Sequence, residues 1–296
     1  MNNSQDILLE PEFIKKLQRL QIMTRKTFTG RMKGERRSKK KGVSIEFADY
    51  RRYVKGDDIR FIDWNIYSRI GTLFLKLFME EEDLYMHILI DASHSMDFGN
   101  PTKLLLAKRI AAALGYIALS NLDKVAIGAF GTGIKAMLKP IRGKHNTLKM
   151  LDFLKDIEPA GETSLTSSFR DFVLSRQTRG IAILISDFMD PRGFEDALSI
   201  FLQYRFEVFV IHVLSEEELS PPHAGHLELV DSEFDARTLV SIDRALLKKY
   251  EDNLNRFCGA LQDFCVKRGV SYMRMKNTAS VEDLVLNYLK YKGLVR

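Results

Sequence analysis

The sequence contains little cysteine and no motif of the kind that holds zinc. The only two cysteines, Cys258 and Cys265, are seven residues apart in a predicted helix, which separates them by about two turns, or roughly 10 Å. That distance is too long for a disulfide bond, and free thiols are typical of a reducing compartment. No CxxC, HxH or HExxH pattern occurs, so a zinc-type site is not supported.

The sequence also lacks a long apolar run and an N-terminal export signal. No apolar stretch reaches the roughly 18–20 residues that a helix needs to cross a bilayer. The N-terminus places Asp6 and Glu10 where a signal peptide has positive charge followed by an apolar stretch. The sequence therefore predicts no membrane span and a cytoplasmic protein.

Positive charge is concentrated near the N-terminus. Residues 1–60 contain 16 Lys and Arg against 8 Asp and Glu, a net of +8, while the whole chain carries +6. Most of this excess lies in the run Arg31–Gly42, which could contact nucleic acid, an acidic protein surface or anionic lipid, or could be a solvated loop. Nucleic-acid modules interleave aromatic residues for base stacking, and Phe28 is the only aromatic between Phe13 and Phe47. The composition therefore disfavours nucleic acid as a partner.

The order of predicted elements indicates an α/β fold. Strands made almost wholly of Val, Ile and Leu alternate with amphipathic helices, which predicts a three-layer architecture with a mainly parallel central sheet flanked by helices. The predicted strands cover residues 72–78, 84–90, 124–130, 134–140, 180–186, 207–213 and 270–275, and the predicted helices cover residues 11–23, 103–119, 146–157, 165–175, 194–203, 243–268 and 281–291. We expect residues 81–296 to form this domain. We expect residues 1–80, with a helix, the basic loop and a compact charged segment, to pack on it as an N-terminal extension.

Three oxygen-bearing side chains follow the predicted strand at residues 84–90. Asp91, Ser93 and Ser95 occupy alternate positions, which brings their side chains to one side of a tight loop. Oxygen-only ligands suit hard cations, and Mg²⁺ prefers six near-octahedral ligands, some of them water. The D-x-S-x-S string alone occurs by chance in on the order of one in ten chains of this length, so it needs support from elsewhere.

Two further junctions provide that support. A hydroxyl-rich loop before the fourth predicted helix offers Thr163, and Asp187 ends the buried strand at residues 180–186. The carboxyl ends of parallel strands share one edge of the sheet, so we expect these oxygens to converge with the first loop. Ser164 and Thr166 remain alternatives to Thr163 as the hydroxyl ligand. Taken singly, each hydroxyl also fits helix capping, and the carboxylate fits bonding to loop amides.

The same loop lacks the features of common catalytic sites. Phosphotransferases of the haloacid dehalogenase type have a second Asp where this chain has Ser93. No G-x-S-x-G elbow or phosphate-binding G-x-x-x-x-G-K-[ST] loop occurs. His94 is adjacent to Ser93, and neighbouring residues rarely face each other as a nucleophile and its base must. The pattern therefore predicts binding rather than catalysis.

The order and spacing of Asp91, Ser93, Ser95, Thr163 and Asp187 resemble the metal-ion-dependent adhesion site of von Willebrand factor A domains. This resemblance implies a von Willebrand factor A-like fold that binds Mg²⁺, or Mn²⁺ or Ca²⁺, weakly. It also implies that a carboxylate of a partner protein completes the metal's ligands, so that the chain is a non-enzymatic binding protein.

A second unusual segment precedes the predicted domain. Its alternation of Asp and Arg around aromatics suggests ion pairs and helix caps, with Trp64 as a buried anchor. It resembles the signature of the family labelled domain of unknown function 58, close to E-F-x-x-x-R-x-Y-x-x-G-D-D-x-R-x-I-D-W and followed by D-x-S-x-S-M. The resemblance covers about residues 30–240, although Tyr67 departs from the small residues that commonly precede Ser-Arg. The matching residues are Glu46, Phe47, Arg51, Tyr53, Gly56, Asp57, Asp58, Arg60, Ile62, Asp63 and Trp64, with Met96 in the later loop.

This family resemblance implies a cytosolic bacterial or archaeal adaptor that works beside a MoxR-type AAA+ ATPase and a protein substrate in a chaperone-like system. Two alternatives remain open. The first is binding of nucleic acid or of an acidic partner through the basic N-terminal arm. The second is a hydrolase that uses the metal to activate water.

Overall fold

The computed structural model describes residues 8–20, 46–79, 84–175, 178–221, 225–230, 237–242 and 244–285. The strands within these residues are β1 (Glu46–Arg52), β2 (Phe74–Met79), β3 (Tyr85–Asp91), β4 (Lys124–Phe130), β5 (Ile134–Arg142), β6 (Ile181–Ser186), β7 (Glu207–Leu214), β8 (Gly225–Val230), β9 (Arg237–Ile242) and β10 (Ser271–Lys276). The α-helices are α1 (Pro11–Leu17), α2 (Trp64–Ile70), α3 (Lys103–Ser120), α4 (Thr147–Lys155), α5 (Leu165–Leu174), α6 (Glu195–Gln203), α7 (Glu216–Leu219), α8 (Arg244–Lys267) and α9 (Val281–Asp283).

Six of the strands form the central sheet, in the order β10-β7-β6-β3-β4-β5. All neighbours in it are parallel except β5, which runs antiparallel to β4 at the edge. Helices connect the parallel strands, as parallel pairing requires. The predicted α/β architecture with a mainly parallel sheet flanked by helices is therefore confirmed.

Both faces of the sheet are buried, which explains why its strands are almost wholly apolar. Along β3, Ile88 and Ile90 point into one core with α3, whereas Leu89 points into a second core with α5, α6 and α8. Ile183 and Leu184 alternate in the same way on β6. Each fully buried side chain of this size contributes about 1.5–3 kcal/mol, so the two cores fix the register of the strands.

The chain divides into two compact units. The first comprises Met1–Lys26 and Leu84–Arg296, and the second comprises Thr27–Asp83. Helix α1 belongs to the first unit, where Phe13 and Leu17 join the core that contains α3. The division groups the N-terminal helix with the α/β unit, and the boundary that we expected between residues 1–80 and 81–296 stays a prediction.

Several elements differ from the sequence-based expectations. The first helix ends at Leu17 rather than at residue 23. The antiparallel pairs β1–β2 and β8–β9 include three strands that we did not predict, because short two-stranded ribbons leave a weak apolar alternation. The basic run at residues 31–42 and most of the predicted final helix lie outside the described residues. In the part of the chain that the structure describes, no helix is both long and apolar enough to cross a membrane.

The second unit contains the charged signature segment. Arg51 Nη2 donates to Asp57 Oδ1 over 2.8 Å, and Arg60 forms an ion pair with Asp58. Gly56 has a φ of 107°, a conformation that favours glycine. The backbone N–H of Tyr53 donates to Leu73 O over 3.0 Å. The expected network of ion pairs is therefore present.

Helix α2 of this unit begins at Trp64 and is capped by Asp63. The Asp63 carboxylate accepts hydrogen bonds from the backbone N–H of Asn65 at 2.9 Å and of Ile66 at 3.1 Å, and Lys76 Nζ lies 3.1 Å from it. Trp64, however, is 60% exposed. The expectation that Trp64 is a buried anchor was wrong, because α2 is a seven-residue helix without a buried side chain.

Candidate metal site

The candidate site lies at the carboxyl ends of two adjacent parallel strands. Asp91 is the last residue of β3, and Asp187 directly follows β6. The chain passes from β3 to β4 on one side of β3 and returns to β6 on the other, so this edge is a topological switch point. Open parallel sheets bind ligands at such a point, because the connecting loops diverge there and leave a crevice.

Asp91 is the centre of the site. It is fully buried, and its Oδ1 accepts hydrogen bonds from the backbone N–H of Ser93 at 3.0 Å and from Thr163 Oγ1 at 3.4 Å. Its Oδ2 accepts a hydrogen bond from Ser186 Oγ at 2.6 Å. These bonds hold both carboxylate oxygens in one orientation.

The two serines of the loop connect Asp91 to Asp187. Ser93 Oγ and Ser95 Oγ are 3.0 Å apart, and the Ser95 hydroxyl interacts with the Asp187 carboxylate. Ser93 stands at the N-cap position of the short 3-10 helix His94–Asp97 but makes no capping bond, and Thr102 caps α3. The serine hydroxyls are therefore not used for helix capping, and they remain available as ligands.

Thr163 is the hydroxyl that reaches Asp91 from the second loop. Its neighbour Ser164 is hydrogen-bonded through its side chain to Ser167 instead, and the carboxylate of Asp190 accepts the backbone N–H of Leu165 at the start of α5. Of the three hydroxyls that the sequence left open, Thr163 is thus the one with a contact to Asp91. Hydrogen bonds join four of the five predicted ligands, Asp91, Ser93, Ser95 and Thr163. The fifth, Asp187, interacts electrostatically with Asp91 and Ser95.

Backbone contacts fix the first and second loops against each other. The N–H of His94 donates to Gly161 O over 3.0 Å, and the N–H of Ala160 donates to Ala92 O over 2.9 Å. Lys135 of β5 also donates through Nζ to Ala92 O over 2.8 Å and to Ala160 O. Lys135 is a supporting residue that the sequence did not indicate, since only the sheet order brings β5 beside these loops.

Two other residues of the site were missed by the sequence analysis. Lys103, the first residue of α3, is buried, and its Nζ lies 2.7 Å from Asp187 Oδ2 and 2.6 Å from Glu218 Oε1. Glu218 belongs to α7, which follows β7. No spacing rule connects Lys103 to Asp187 or to Glu218, because the three come from separate strand–helix junctions. Their meeting depends on the fold.

Burial and charge shift the pKa values of these groups. Burial raises the pKa of Asp91 to about 7, and the Asp187 carboxylate adds to the rise. Burial alone would also raise the pKa of Asp187, but the Lys103 ammonium outweighs it and holds that pKa below its usual range. Burial would lower the pKa of Lys103, but Asp187 and Glu218 outweigh it, so this pKa lies above its usual value. Asp187 and Lys103 therefore form a charged pair inside the protein.

The donor set fits a hard divalent cation. Neighbouring ligands of an octahedral Mg²⁺, with metal–oxygen distances of about 2.1 Å, lie about 3.0 Å apart, and the two serine oxygens of Ser93 and Ser95 have this 3.0 Å separation. Among the described residues, no group of three or more His, Cys, Asp and Glu side chains could hold a metal. A cation at this edge of the sheet would therefore need hydroxyl oxygens as ligands in addition to the carboxylates of Asp91 and Asp187.

The fold and this cluster define an α/β protein with a group of mostly buried, oxygen-bearing side chains at its switch point. The chain belongs to the family described as "Protein of unknown function DUF58", whose model matches residues 49–257. It is 26% identical over 243 residues to Uncharacterized protein Rv1480 of Mycobacterium tuberculosis, covering 80% of this chain and 76% of that protein. A protein of Mycobacterium bovis, Uncharacterized protein Mb1516, is similar to the same extent.

Two solved structures match much of this chain at low sequence identity. The conserved hypothetical protein BatB from Bacteroides thetaiotaomicron matches 70% of this chain and 98% of its own, with a TM-score of 0.46 and 18% identity. An aerotolerance-related membrane protein from Bacteroides fragilis matches 70% of this chain and 99% of its own, with a TM-score of 0.43 and 18% identity.

Proposed function

We propose that this protein is a non-enzymatic adaptor with a von Willebrand factor A-like domain, which binds a partner protein through a divalent metal. The observation that supports the proposal is that three loops, those after β3 and β6 and the one before α5, bring five oxygen-bearing side chains together. Helix capping and loop bonding account for each residue singly, but not for their convergence at a switch point.

The residues of the site have separable tasks in this proposal. Asp91 and Asp187 supply the negative charge, while Ser93, Ser95 and Thr163 supply neutral oxygens. Ser95 is the least buried of the five, so the open side of the site lies next to it. A divalent cation, Mg²⁺ or alternatively Mn²⁺ or Ca²⁺, would supply an electrophilic position there for a partner carboxylate. With few charged ligands, binding of the cation alone is expected to be weak.

The proposed partner is a MoxR-type AAA+ ATPase, together with a protein substrate in a chaperone-like system. This part of the proposal rests on the family resemblance and not on a contact. The proposed location is the cytoplasm, where such an ATPase has its nucleotide. The family resemblance assigns no reaction to the signature segment around Asp57 and Asp63. We propose that this segment has a structural role.

Calorimetric titration of the full chain with Mn²⁺ and Mg²⁺ tests the site. The wild-type protein should bind one cation, and Asp91→Asn should weaken binding at least a hundredfold, because it removes one of two charged ligands. Asp196→Asn is the matched control, since it removes the same charge from the exposed surface of α6. Equal binding by the Asp91 and Asp196 variants would refute the metal site.

The partner is tested by linkage. If cation and partner carboxylate share the site, each raises the affinity for the other by the same factor. Affinity for the MoxR-type ATPase should therefore rise with Mg²⁺ concentration in wild type, and this rise should be lost in the combined Ser93→Ala and Ser95→Ala variant. If binding weakens steeply with salt and does not change when a chelator is added, the alternative of binding through the basic N-terminal arm is favoured instead. Substrate turnover abolished by Asp91→Ala would favour the hydrolase.

A further inference from the structure

Lys103 is a buried cation placed against one of the two charged residues of the metal site. Its side chain is 0% exposed, and Nζ lies between Asp187 Oδ2 at 2.7 Å and Glu218 Oε1 at 2.6 Å. An ammonium removed from water needs such partners, because its lost hydration is otherwise uncompensated. Lys103 therefore shares its charge between a candidate metal ligand and a carboxylate that is not one.

The local structure gives no separate reason for a cation at this position. Lys103 is the first residue of α3, an 18-residue helix, and the N-terminus of a helix carries partial positive charge that disfavours a cation. The cap of α3 is provided by Thr102, whose Oγ1 accepts from the N–H of Leu105 over 3.2 Å. The two carboxylates thus account for the position of the Lys103 ammonium.

We propose that Lys103 is an affinity-determining residue of the metal site, an internal counter-cation that limits how tightly a divalent ion binds. The inference rests on the proposed function. Asp187 can give its full charge to a bound cation only where it does not also neutralise an ammonium. Lys103 also repels a dication across a buried, weakly screened distance. With a cation bound, the net charge of the site is one unit more positive than it would be without Lys103. This extra positive charge favours an anionic partner.

Glu218 raises the affinity for a cation, because it draws the Lys103 ammonium away from Asp187. Its Oε1 accepts from Lys103, while its Oε2 accepts the backbone N–H of Ser215 over 2.7 Å in the capping box of α7. The cap holds Glu218 in place, so the Lys103 ammonium is drawn partly away from Asp187. Without the Glu218 charge, Lys103 would pair with Asp187 alone and oppose the cation more strongly.

Titration of the full chain with Mn²⁺ alone tests the proposal. Lys103→Gln should raise Mn²⁺ affinity at least tenfold over wild type, whereas Glu218→Gln should lower it. The combined Lys103→Met and Glu218→Met variant removes the ammonium together with one of its two carboxylate partners. The net charge of the cluster is therefore unchanged, and this variant keeps the test open if the single variant does not fold. Its affinity should exceed that of wild type. Lys108→Gln, which removes a positive charge elsewhere on α3, is the matched control and should change affinity less than twofold.

The outcomes separate this inference from the proposed function. Wild-type binding that is lost in Asp91→Asn, with equal or weaker binding after removal of Lys103, would overturn the role of Lys103 and leave the metal site standing. Absence of Mn²⁺ binding in wild type and in every variant would overturn both. Circular dichroism and the thermal midpoint of each variant show that a changed affinity comes from folded protein.

Discussion

Ser93 and Ser95 have different surroundings although they stand two residues apart in one short loop. Ser93 is fully buried, with its backbone N–H bonded to Asp91 and its hydroxyl 3.0 Å from that of Ser95. Ser95 is only partly buried. A sequence pattern treats both as ligands on the rim of a loop, but one of them also belongs to the packed interior.

We predict that alanine variants of Ser93 and Ser95 both weaken metal binding but differ in their effect on stability. Ser95→Ala should weaken Mn²⁺ binding at least tenfold and lower the thermal midpoint less than Ser93→Ala does, because water can replace part of the hydrogen bonding of its partly solvated hydroxyl. Ser93→Ala should weaken binding and also cost about 1 kcal/mol, since it removes a buried hydroxyl from its partners. That cost corresponds to roughly 2–4 °C in a domain of this size. Calorimetry and thermal melts measure both, and equal midpoints would contradict the difference in burial.

At the scale of elements, the start of β6 depends on a glycine. A Cβ added at Gly180 would lie 2.1 Å from the backbone carbonyl oxygen of Tyr85 on neighbouring β3. A backbone atom cannot swing aside as the end of a side chain can. The glycine therefore allows the close approach of β3 and β6, whose carboxyl ends carry Asp91 and Asp187.

We predict that Gly180→Ala destabilises the protein by about 2 kcal/mol or more, because the strands must separate to admit the methyl group. Gly259→Ala is the control within α8, where nothing lies within 4 Å of the added Cβ. It should stabilise the helix by about 0.5–1 kcal/mol. Urea denaturation measures both changes. A neutral effect of the Gly180 substitution would show that β3 and β6 are not held this closely.

Helix α2 shows the limit of reading burial from residue type. Trp64 and Tyr67 contact each other edge to face, with ring centroids 6.1 Å apart, and both are exposed. The polar neighbour Asp63 is buried instead, because its carboxylate caps the helix. Position within the capped turn decides which side chain is enclosed here.

At the scale of the whole molecule, buried histidines link stability to pH, and His87 is one of two described histidines whose pKa burial lowers to about 4, His212 being the other. His87 lies on β3, where its Nε2 donates to Thr178 O over 2.8 Å and its ring packs edge-on against Phe172 and Phe206. Burial lowers the pKa of His87 to about 4, although the bond to Thr178 opposes the shift. The folded protein therefore keeps this ring neutral at pH values where an unfolded chain protonates it.

We predict that this histidine makes the protein less stable in mild acid. Between the unfolded pKa of about 6.5 and the folded pKa, only the unfolded state takes up the proton. The contribution of His87 to stability is thus fully present above about pH 6.5 and falls by about 1.4 kcal/mol per pH unit toward pH 4. Urea denaturation across this range should show a smaller slope for His87→Gln than for wild type. Parallel slopes for the two proteins would exclude His87 as the source.

The α/β class and the loops that carry the candidate ligands could be predicted from the sequence. Its apolar strands could only be buried on both faces, and the predicted strand at residues 124–130 agrees with β4 to the residue. Oxygen side chains directly after β3 and β6 had to share one edge, because parallel strands end on the same side of a sheet. Local spacing was enough for these conclusions.

The other side chains that meet at this edge of the sheet could not be predicted, because the folded chain brings them together. Lys103, Lys135 and Glu218 reach the site from different junctions, and no period along the chain relates them. The order β6-β3-β4-β5 and the position of α3 bring them together. The physical reason is that burial and ion pairing act through space. The charge that Asp187 can offer a cation is therefore a property of the folded molecule.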